Sequence, residues 1–406
     1  MIESARAVLM HGQAIGSLLQ RGDVARFVFE EGYWSSPDRP VLGLWFEDNP
    51  GQSPQAALRL PPWFSNLLPE GQLREWVARE RGVSIDRELQ LLLHIGGDLA
   101  GAVEVVPDAG DRRHLSAVGN ELAATQKYTA AEAVWKFSLA GVGMKFSMLR
   151  DGDRLTTPGT NALGNWIVKF PDPFYPQVPV NEFGTMQLAR TVGIDVPEIE
   201  LVHRDNLPHL PDSIWPTKET HAFAIKRFDR TPGGGRVHIE DFAQVRGWYS
   251  NAKYDGSFAT VAALAYRGHD RLSLREFVRR LTFSFLIGNG DAHLKNWSFI
   301  YPDRRVPELS PAYDLVSTGP YYLPSEPDST GLALGGTRSF DRLARESFER
   351  LQRRLGAADV DVLDIVDETI EAFFEAWKAG APSELPAFVA DWVRPHAEMV
   401  RRRIGN

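Results

Sequence analysis

One short stretch constrains this chain most: Ile287-Gly-Asn-Gly-Asp-Ala-His-Leu-Lys-Asn-Trp297, followed by Ser310-Pro-Ala-Tyr-Asp-Leu315. It sets Asp291 five residues before Asn296 and supplies a second aspartate, Asp314, a short excursion later. Phe277, Leu281 and Phe285 recur at i, i+4 and i+8, so an amphipathic helix is expected to lead into the first loop. The residue types suit phosphoryl transfer. One carboxylate orients an attacking hydroxyl, and an Asn and a further Asp offer oxygens to Mg²⁺ on nucleotide phosphates. Spacing alone also fits a polar turn in which Asp291 and Asn296 cap or form the bend.

The chain has 406 residues, more than one core usually serves, so two or three packed units are expected. Alternation around the turn His11-Gly12-Gln13 predicts short strands at Ala7–Met10, Ile15–Leu19 and Phe27–Phe29. Helical periodicity runs from Gln72 to Ile95. The polar link Val106–Arg113 marks a first boundary. Strands are then expected at Trp166–Phe170 and Ala222–Phe228, with a helix over Val180–Arg190 that has Asn181 near its N-cap. Thr231-Pro-Gly-Gly-Gly235 is a turn, and beyond about residue 240 the pattern becomes helical. Val362, Val366, Ile370, Phe373 and Trp377 mark one amphipathic helix; Leu385–Ile404 reads as another, interrupted at Pro395. The expected units are 1–110, 111–230 and 231–406.

A net charge of −8 argues against a constitutive nucleic-acid binder, though not against a DNA-binding partner. Without cysteine there is no disulfide, thiol nucleophile or Cys-type zinc site, which fits a reducing cytoplasm. No signal peptide and no membrane-spanning run are expected. Lysines number nine against thirty-six arginines, so each retained lysine hints that an ammonium is wanted.

The loop segment resembles the HipA family of bacterial serine/threonine kinases, the toxin halves of toxin–antitoxin pairs. Leu286–Asn296 is similar to that family's catalytic loop, and Ser310–Leu315 to its metal-binding segment. Asn66-Leu-Leu-Pro-Glu70 and Gly96–Ala102 are similar to its N-terminal region, and Ser138-Leu-Ala-Gly-Val-Gly-Met-Lys145 to its phosphate loop. Lys226–Arg230 and His238–Gln244 match further words, in the family's order. The resemblance implies an α+β, protein-kinase-like two-lobed fold, with a mixed α/β N-terminal region and a mainly helical C-terminal lobe. Protein kinases use the same Asp-x-x-x-x-Asn spacing and a later metal-binding Asp.

On this reading Asp291 orients the acceptor hydroxyl, and Asn296 and Asp314 hold Mg²⁺. Lys169, on a strand, reaches the ATP phosphates and Glu182 pairs with it. Gly141, Val142, Gly143 and Lys145 form the phosphate loop, where Val142-Gly143-Met144 departs from the family's more polar pattern. Arg227 and Phe228 meet the adenine through their main chain; Lys226 stands where the family often carries an acid, and Asp229 has a structural alternative. Lys295 is either a γ-phosphate contact or a surface lysine. His293, also in the nucleotide set, suits a structural histidine better than a general base. Ser138 is the expected autophosphorylation site, where two negative charges would repel the nucleotide.

The family also implies a HipB-type helix-turn-helix antitoxin, operator DNA reached through it, and a protein substrate such as an aminoacyl-tRNA synthetase. Two other readings use the same residues. One is a catalytically silent, nucleotide-binding corepressor scaffold. The other is a metal-dependent phosphohydrolase built on Asp291, Asp314 and His293, which needs further metal ligands nearby.

Overall fold

The computed structural model describes residues 4–95, 97–107, 143–152, 154–158, 162–208, 210, 214–322 and 329–406. Strands β1 (Ser4–Met10), β2 (Gln13–Arg21), β3 (Val24–Phe29), β4 (Gln55–Ala57) and β5 (Val103–Pro107) form an antiparallel sheet ordered β4-β3-β2-β1-β5. The β1–β2 turn is tight because His11 and Gly12 both take positive φ, 49° and 78°. Helices α1 (Leu44–Asp48), α2 (Pro62–Ser65), α3 (Gly71–Arg81) and α4 (Glu88–Ile95) belong to the same unit. The helical periodicity over 72–95 is thus carried by two helices. Gly82, left-handed at φ 62°, caps α3, and the chain re-enters a helix at Glu88.

A second antiparallel sheet comprises β6 (Lys145–Asp151), β7 (Arg154–Thr156), β8 (Trp166–Lys169), β9 (Ile199–His203) and β10 (His221–Lys226), ordered β7-β6-β8-β10-β9. Its period of two divides the side chains between two cores. Trp166, Val168, Ala222 and Ala224 pack with the first sheet's unit, whereas Ile167, Phe223 and Ile225 pack toward the helical lobe. Register places Lys145 beside Lys169 and Lys169 beside Phe223, bringing two lysines to one spot on the sheet.

Helix α5 (Val178–Thr191) starts before the expected Asn181, because Gln177 takes the N-cap and Pro179 fits the first turn. Asn181 is instead buried, and its amide donates to the Ser317 carbonyl at 2.7 Å. The helical lobe contains β11 (His238–Asp241), α6 (Phe242–Arg246), α7 (Phe258–Tyr266), α8 (Arg271–Leu286), β12 (Ser298–Tyr301), β13 (Glu308–Leu309), β14 (Ser329–Leu334) and β15 (Thr337–Ser339). It closes with α9 (Arg345–Leu355), α10 (Val362–Lys378) and α11 (Ala387–Ile404). A reciprocal Asp241–Gln244 capping box starts α6 directly from β11. Pro395 lies inside α11 without interrupting it. Burial of Val389, Val393, Ala397, Val400 and Ile404 along one face offsets the missing N–H.

Candidate active site

Helix α8 ends at Leu286, and Gly288 turns the chain with φ 64°. The Gly288 carbonyl accepts N–H bonds from Thr318 and Gly319, both at 3.2 Å, and the Gly290 N–H donates to the Thr318 hydroxyl at 2.7 Å. Asp291 follows. Its main-chain oxygen accepts from the His293 N–H at 2.8 Å and from the Asn296 side-chain amide at 2.7 Å, curling the loop so that Asp291 and Asn296 meet. The Asp291 carboxylate accepts a hydrogen bond from the Tyr254 hydroxyl.

Asp314 is tied to this loop through its neighbour. The Tyr313 hydroxyl donates to the Lys295 carbonyl at 3.0 Å. Asp314 itself has φ 54°, a left-handed conformation seldom taken by residues other than glycine, and such outliers concentrate at functional sites. Its carboxylate binds the Lys169 ammonium, which also lies 2.5 Å from Glu182 on α5. Burial alone would raise the Asp314 carboxyl; the Lys169 and Lys145 charges overcome it and hold Asp314 well below the usual carboxylate range. Burial would likewise lower Lys169, but Asp314 and Glu182 raise it above its ordinary value. Lys145 is brought down to about 8 by burial, with Asp314 pulling upward and Lys169 adding to the fall.

These groups line one cavity of about 620 Å³ between the second sheet and the helical lobe. Gly143, Lys145, Lys169, Asp291, Asn296 and Asp314 all reach it, as do Arg227, Phe228, His293 and Lys295. Ser138, Gly141 and Val142 lie outside the described residues.

Several of the expected residues are placed in ways their positions in the chain do not reveal. The Arg227 N–H is bonded to the Asn165 carbonyl at 2.9 Å. Its buried guanidinium pairs with Asp98 at 3.0 Å and Asp229 at 2.7 Å, and Arg230 joins the same two acids. Asp229 is thus part of a buried ionic knot. Burial acts against its ionisation, but Arg227 and Arg230 hold it far below the usual range. The Phe228 ring lies 5.9 Å from that of Tyr313. Lys226 pairs at 2.8 Å with Glu198. His293 is buried, which lowers its pKa against the pull of Asp291, and its Nε2 is 3.9 Å from the Asp291 carboxylate.

Lys295 is buried rather than on the surface. It donates to the Asn66 side chain at 2.8 Å and lies 3.2 Å from Glu70 and 3.4 Å from Asp241. Lys253 reaches the other Glu70 oxygen at 3.0 Å. Asn66 and Glu70 belong to the word Asn66-Leu-Leu-Pro-Glu70, to which the sequence assigned no role; Lys253 carried only the general scarcity of lysine, and Tyr254 no signal of its own. Among the described residues no group of three or more His, Cys, Asp or Glu side chains is placed to hold a metal ion.

A two-lobed fold with a strand lysine, a helix glutamate and two loop aspartates around one cavity is kinase-like. Comparison with known proteins makes this specific. The HipA N-terminal domain matches residues 6–106, and the HipA-like C-terminal domain matches residues 137–377. The putative kinase Y4dM of Sinorhizobium fredii is 42% identical, over 97% of this chain and 96% of its own length. The serine/threonine-protein kinase toxin HipA of Shewanella oneidensis is 28% identical, over 72% of this chain and 68% of its own. Among solved structures, the Shewanella oneidensis HipA, HipB and operator DNA complex superposes with a TM-score of 0.72 at 21% identity, covering 98% of this chain and 97% of that one. The chain belongs to the HipA family and has its kinase-like fold. Kinase activity is supported at the level of that family.

Proposed function

We propose that this protein is an ATP- and Mg²⁺-dependent serine/threonine protein kinase, the toxin of a toxin–antitoxin pair. The observation that carries the reading is the Lys169 ammonium bound to both Glu182 and Asp314 across the cavity that Asp291 and Asn296 line. Protein kinases use a strand Lys–helix Glu pair and a metal-binding Asp in this relation. Lys169, with Lys145 beside it, binds the nucleotide phosphates, and the chain around Arg227 and Phe228 meets the base. Gly141, Val142 and Gly143 are assigned to the phosphate loop. Asp291 accepts a hydrogen bond from the acceptor hydroxyl and aims it at the γ-phosphate, where positioning supplies most of the rate.

The donor set fits a hard divalent cation. Asp314 is kept ionised and Asn296 offers an amide oxygen, both at the cavity wall. When bound there, Mg²⁺ would neutralise charge on the phosphate oxygens. Ser138 is the site of self-phosphorylation that silences the kinase. The relative from Shewanella oneidensis is complexed with HipB and operator DNA, and this supports a helix-turn-helix antitoxin of HipB type, with DNA reached through it. The protein acts in the cytoplasm on a translation component such as an aminoacyl-tRNA synthetase. Its working units are 1–110, 111–230 and 231–406; the matched N-terminal domain, residues 6–106, supports the first boundary.

The test is transfer from γ-labelled ATP with Mg²⁺, using phosphatase-treated wild type, Asp291→Asn and Ser138→Ala, with sites mapped by mass spectrometry. Label on wild-type Ser138 that disappears in Asp291→Asn is expected. Nucleotide binding without label on the chain or on any lysate protein would overturn the kinase and leave a nucleotide-binding scaffold.

A further inference from the structure

We propose that Glu70, from the N-terminal unit, is a positioning residue for phosphoryl transfer, setting the catalytic loop through Lys253 and Lys295. The inference rests on the kinase reading above. Glu70 follows the buried turn that precedes α3 and projects into the cavity wall, its side chain 15% exposed. One carboxylate oxygen is 3.0 Å from the Lys253 ammonium and the other 3.2 Å from that of Lys295. Both lysines are themselves largely buried, at 11% and 4%. Paired this deeply, charges are screened little by solvent, and removing one partner leaves the others uncompensated.

Each lysine is covalently next to the reacting apparatus. Lys253 precedes Tyr254, whose hydroxyl donates to the Asp291 carboxylate. The Lys253 carbonyl also accepts the Leu294 N–H at 3.0 Å, pinning the middle of the loop. Lys295 precedes Asn296, and its carbonyl accepts from Tyr313, the residue before Asp314. One carboxylate from a distant unit therefore reaches Asn296 through Lys295 alone, Asp291 through Lys253 and Tyr254, and Asp314 through Lys295 and Tyr313. Its two oxygens face the Lys253 and Lys295 ammonium ions, so the contribution assigned to it is geometric. Asp241, 3.4 Å from Lys295, balances one of the two ammonium ions, whereas Glu70 faces both.

Glu70→Gln keeps the shape and removes the charge, so Lys253 loses its carboxylate and the loop loses its fixed register. Displacement of about 1 Å at a reacting centre costs on the order of 10²-fold in rate. The nucleotide contacts through Lys169 lie elsewhere, so ATP affinity should hold.

The decisive experiment measures self-phosphorylation of the phosphatase-treated full chain against ATP concentration, for wild type, Glu70→Gln, Lys253→Met and the double variant, with thermal melting with and without MgATP. The expected result is a maximal rate reduced about 10- to 100-fold in Glu70→Gln, a half-saturating ATP concentration within about twofold of wild type, and a preserved MgATP melting shift. The double variant should be no slower than the slower single one, because the two residues act in one path. A Glu70→Gln rate within about twofold of wild type overturns the proposal. So does a fall in rate accompanied by loss of the MgATP shift or of the melting transition, which marks a merely structural acid, and so do multiplicative losses in the double variant. If wild type binds ATP and transfers nothing, the kinase reading itself has failed, and this inference falls with it.

Discussion

The Lys169 ammonium lies 2.5 Å from the Glu182 carboxylate and is simultaneously bonded to Asp314, so one cation joins a strand, a helix and the loop that carries Asp314. Without it, a buried glutamate and an ionised aspartate would face each other. Breaking such a pair costs about 3–5 kcal/mol; side-chain exposures of 20% for Lys169 and 27% for Asp314 place the expected loss at the lower end. Lys169→Ala should therefore lower the urea midpoint and abolish the MgATP-dependent melting shift. An unchanged shift would remove Lys169 from the nucleotide site.

Asp291 makes a different demand. Its side chain is 46% exposed, so replacing it should leave the fold intact. Asn can still accept from Tyr254 but is a far poorer acceptor for a proton leaving the substrate hydroxyl. Asp291→Asn should reduce transfer by roughly 10²–10⁴-fold with nucleotide binding retained. Rapid-quench measurement of labelled product, alongside ATP titration, separates the two.

What could be read from the chain was whatever is local. Asp291, Asn296 and Asp314 fall within one short segment, so their spacing carried their association, and the alternation of Trp166–Lys169 gave the strand that supports the lysine. Lys295 was ambiguous between phosphate contact and surface because its partners, Asn66 and Glu70, are more than two hundred residues away along the chain. Tyr254 was missed for the same reason, as a lone tyrosine has no pattern. Arg227 looked like an adenine contact, and only the fold reveals that its side chain closes an ionic knot with Asp98 and Asp229. Helix ends misled where a proline was involved. Pro179 is tolerated in a first turn, and Pro395 survives inside α11 because packing outweighs one lost hydrogen bond.

Gly288 is a position where the Asp291 loop depends on glycine. Its φ is 64°, and a Cβ there would stand 2.4 Å from the Trp392 ring on α11. Gly288→Ala should cost about 1–3 kcal/mol from overpacking, beyond the left-handed penalty. Because the Gly288 carbonyl anchors Thr318 and Gly319, the variant should also slow transfer more than its melting temperature alone would suggest. Trp392→Phe in the same background should recover part of both losses; recovery of neither would disconnect the C-terminal helix from the loop.

Glu240 links the N-terminal unit to β11 and gives stability a specific pH dependence. Its carboxylate accepts from the Leu44 N–H at 2.9 Å, the Trp63 indole at 3.1 Å and the Tyr301 hydroxyl. Burial nevertheless prevails over these three donors and pushes its pKa up to about 7 from an ordinary 4.5. The folded state thus holds a proton that the unfolded chain has released. Stability from Glu240, on the order of 3 kcal/mol, is complete below about pH 4.5 and is lost as pH rises through 7. Neighbouring His238 runs the other way. Burial lowers it to about 3, so its contribution is present above pH 6.5 and is lost as pH falls. Between pH 4.5 and 6.5 the two slopes oppose each other, and wild type should vary little through these groups. Glu240→Gln removes one slope and leaves one of its three donors poorly satisfied, so the variant should be weaker at pH 5. Its urea midpoint should then rise toward, or past, that of wild type as pH increases from 5 to 8. A difference between the two proteins that stays constant over that range would mean that Glu240 does not change protonation there, and that the contact between Leu44, Trp63 and β11 is held by a permanently charged acid.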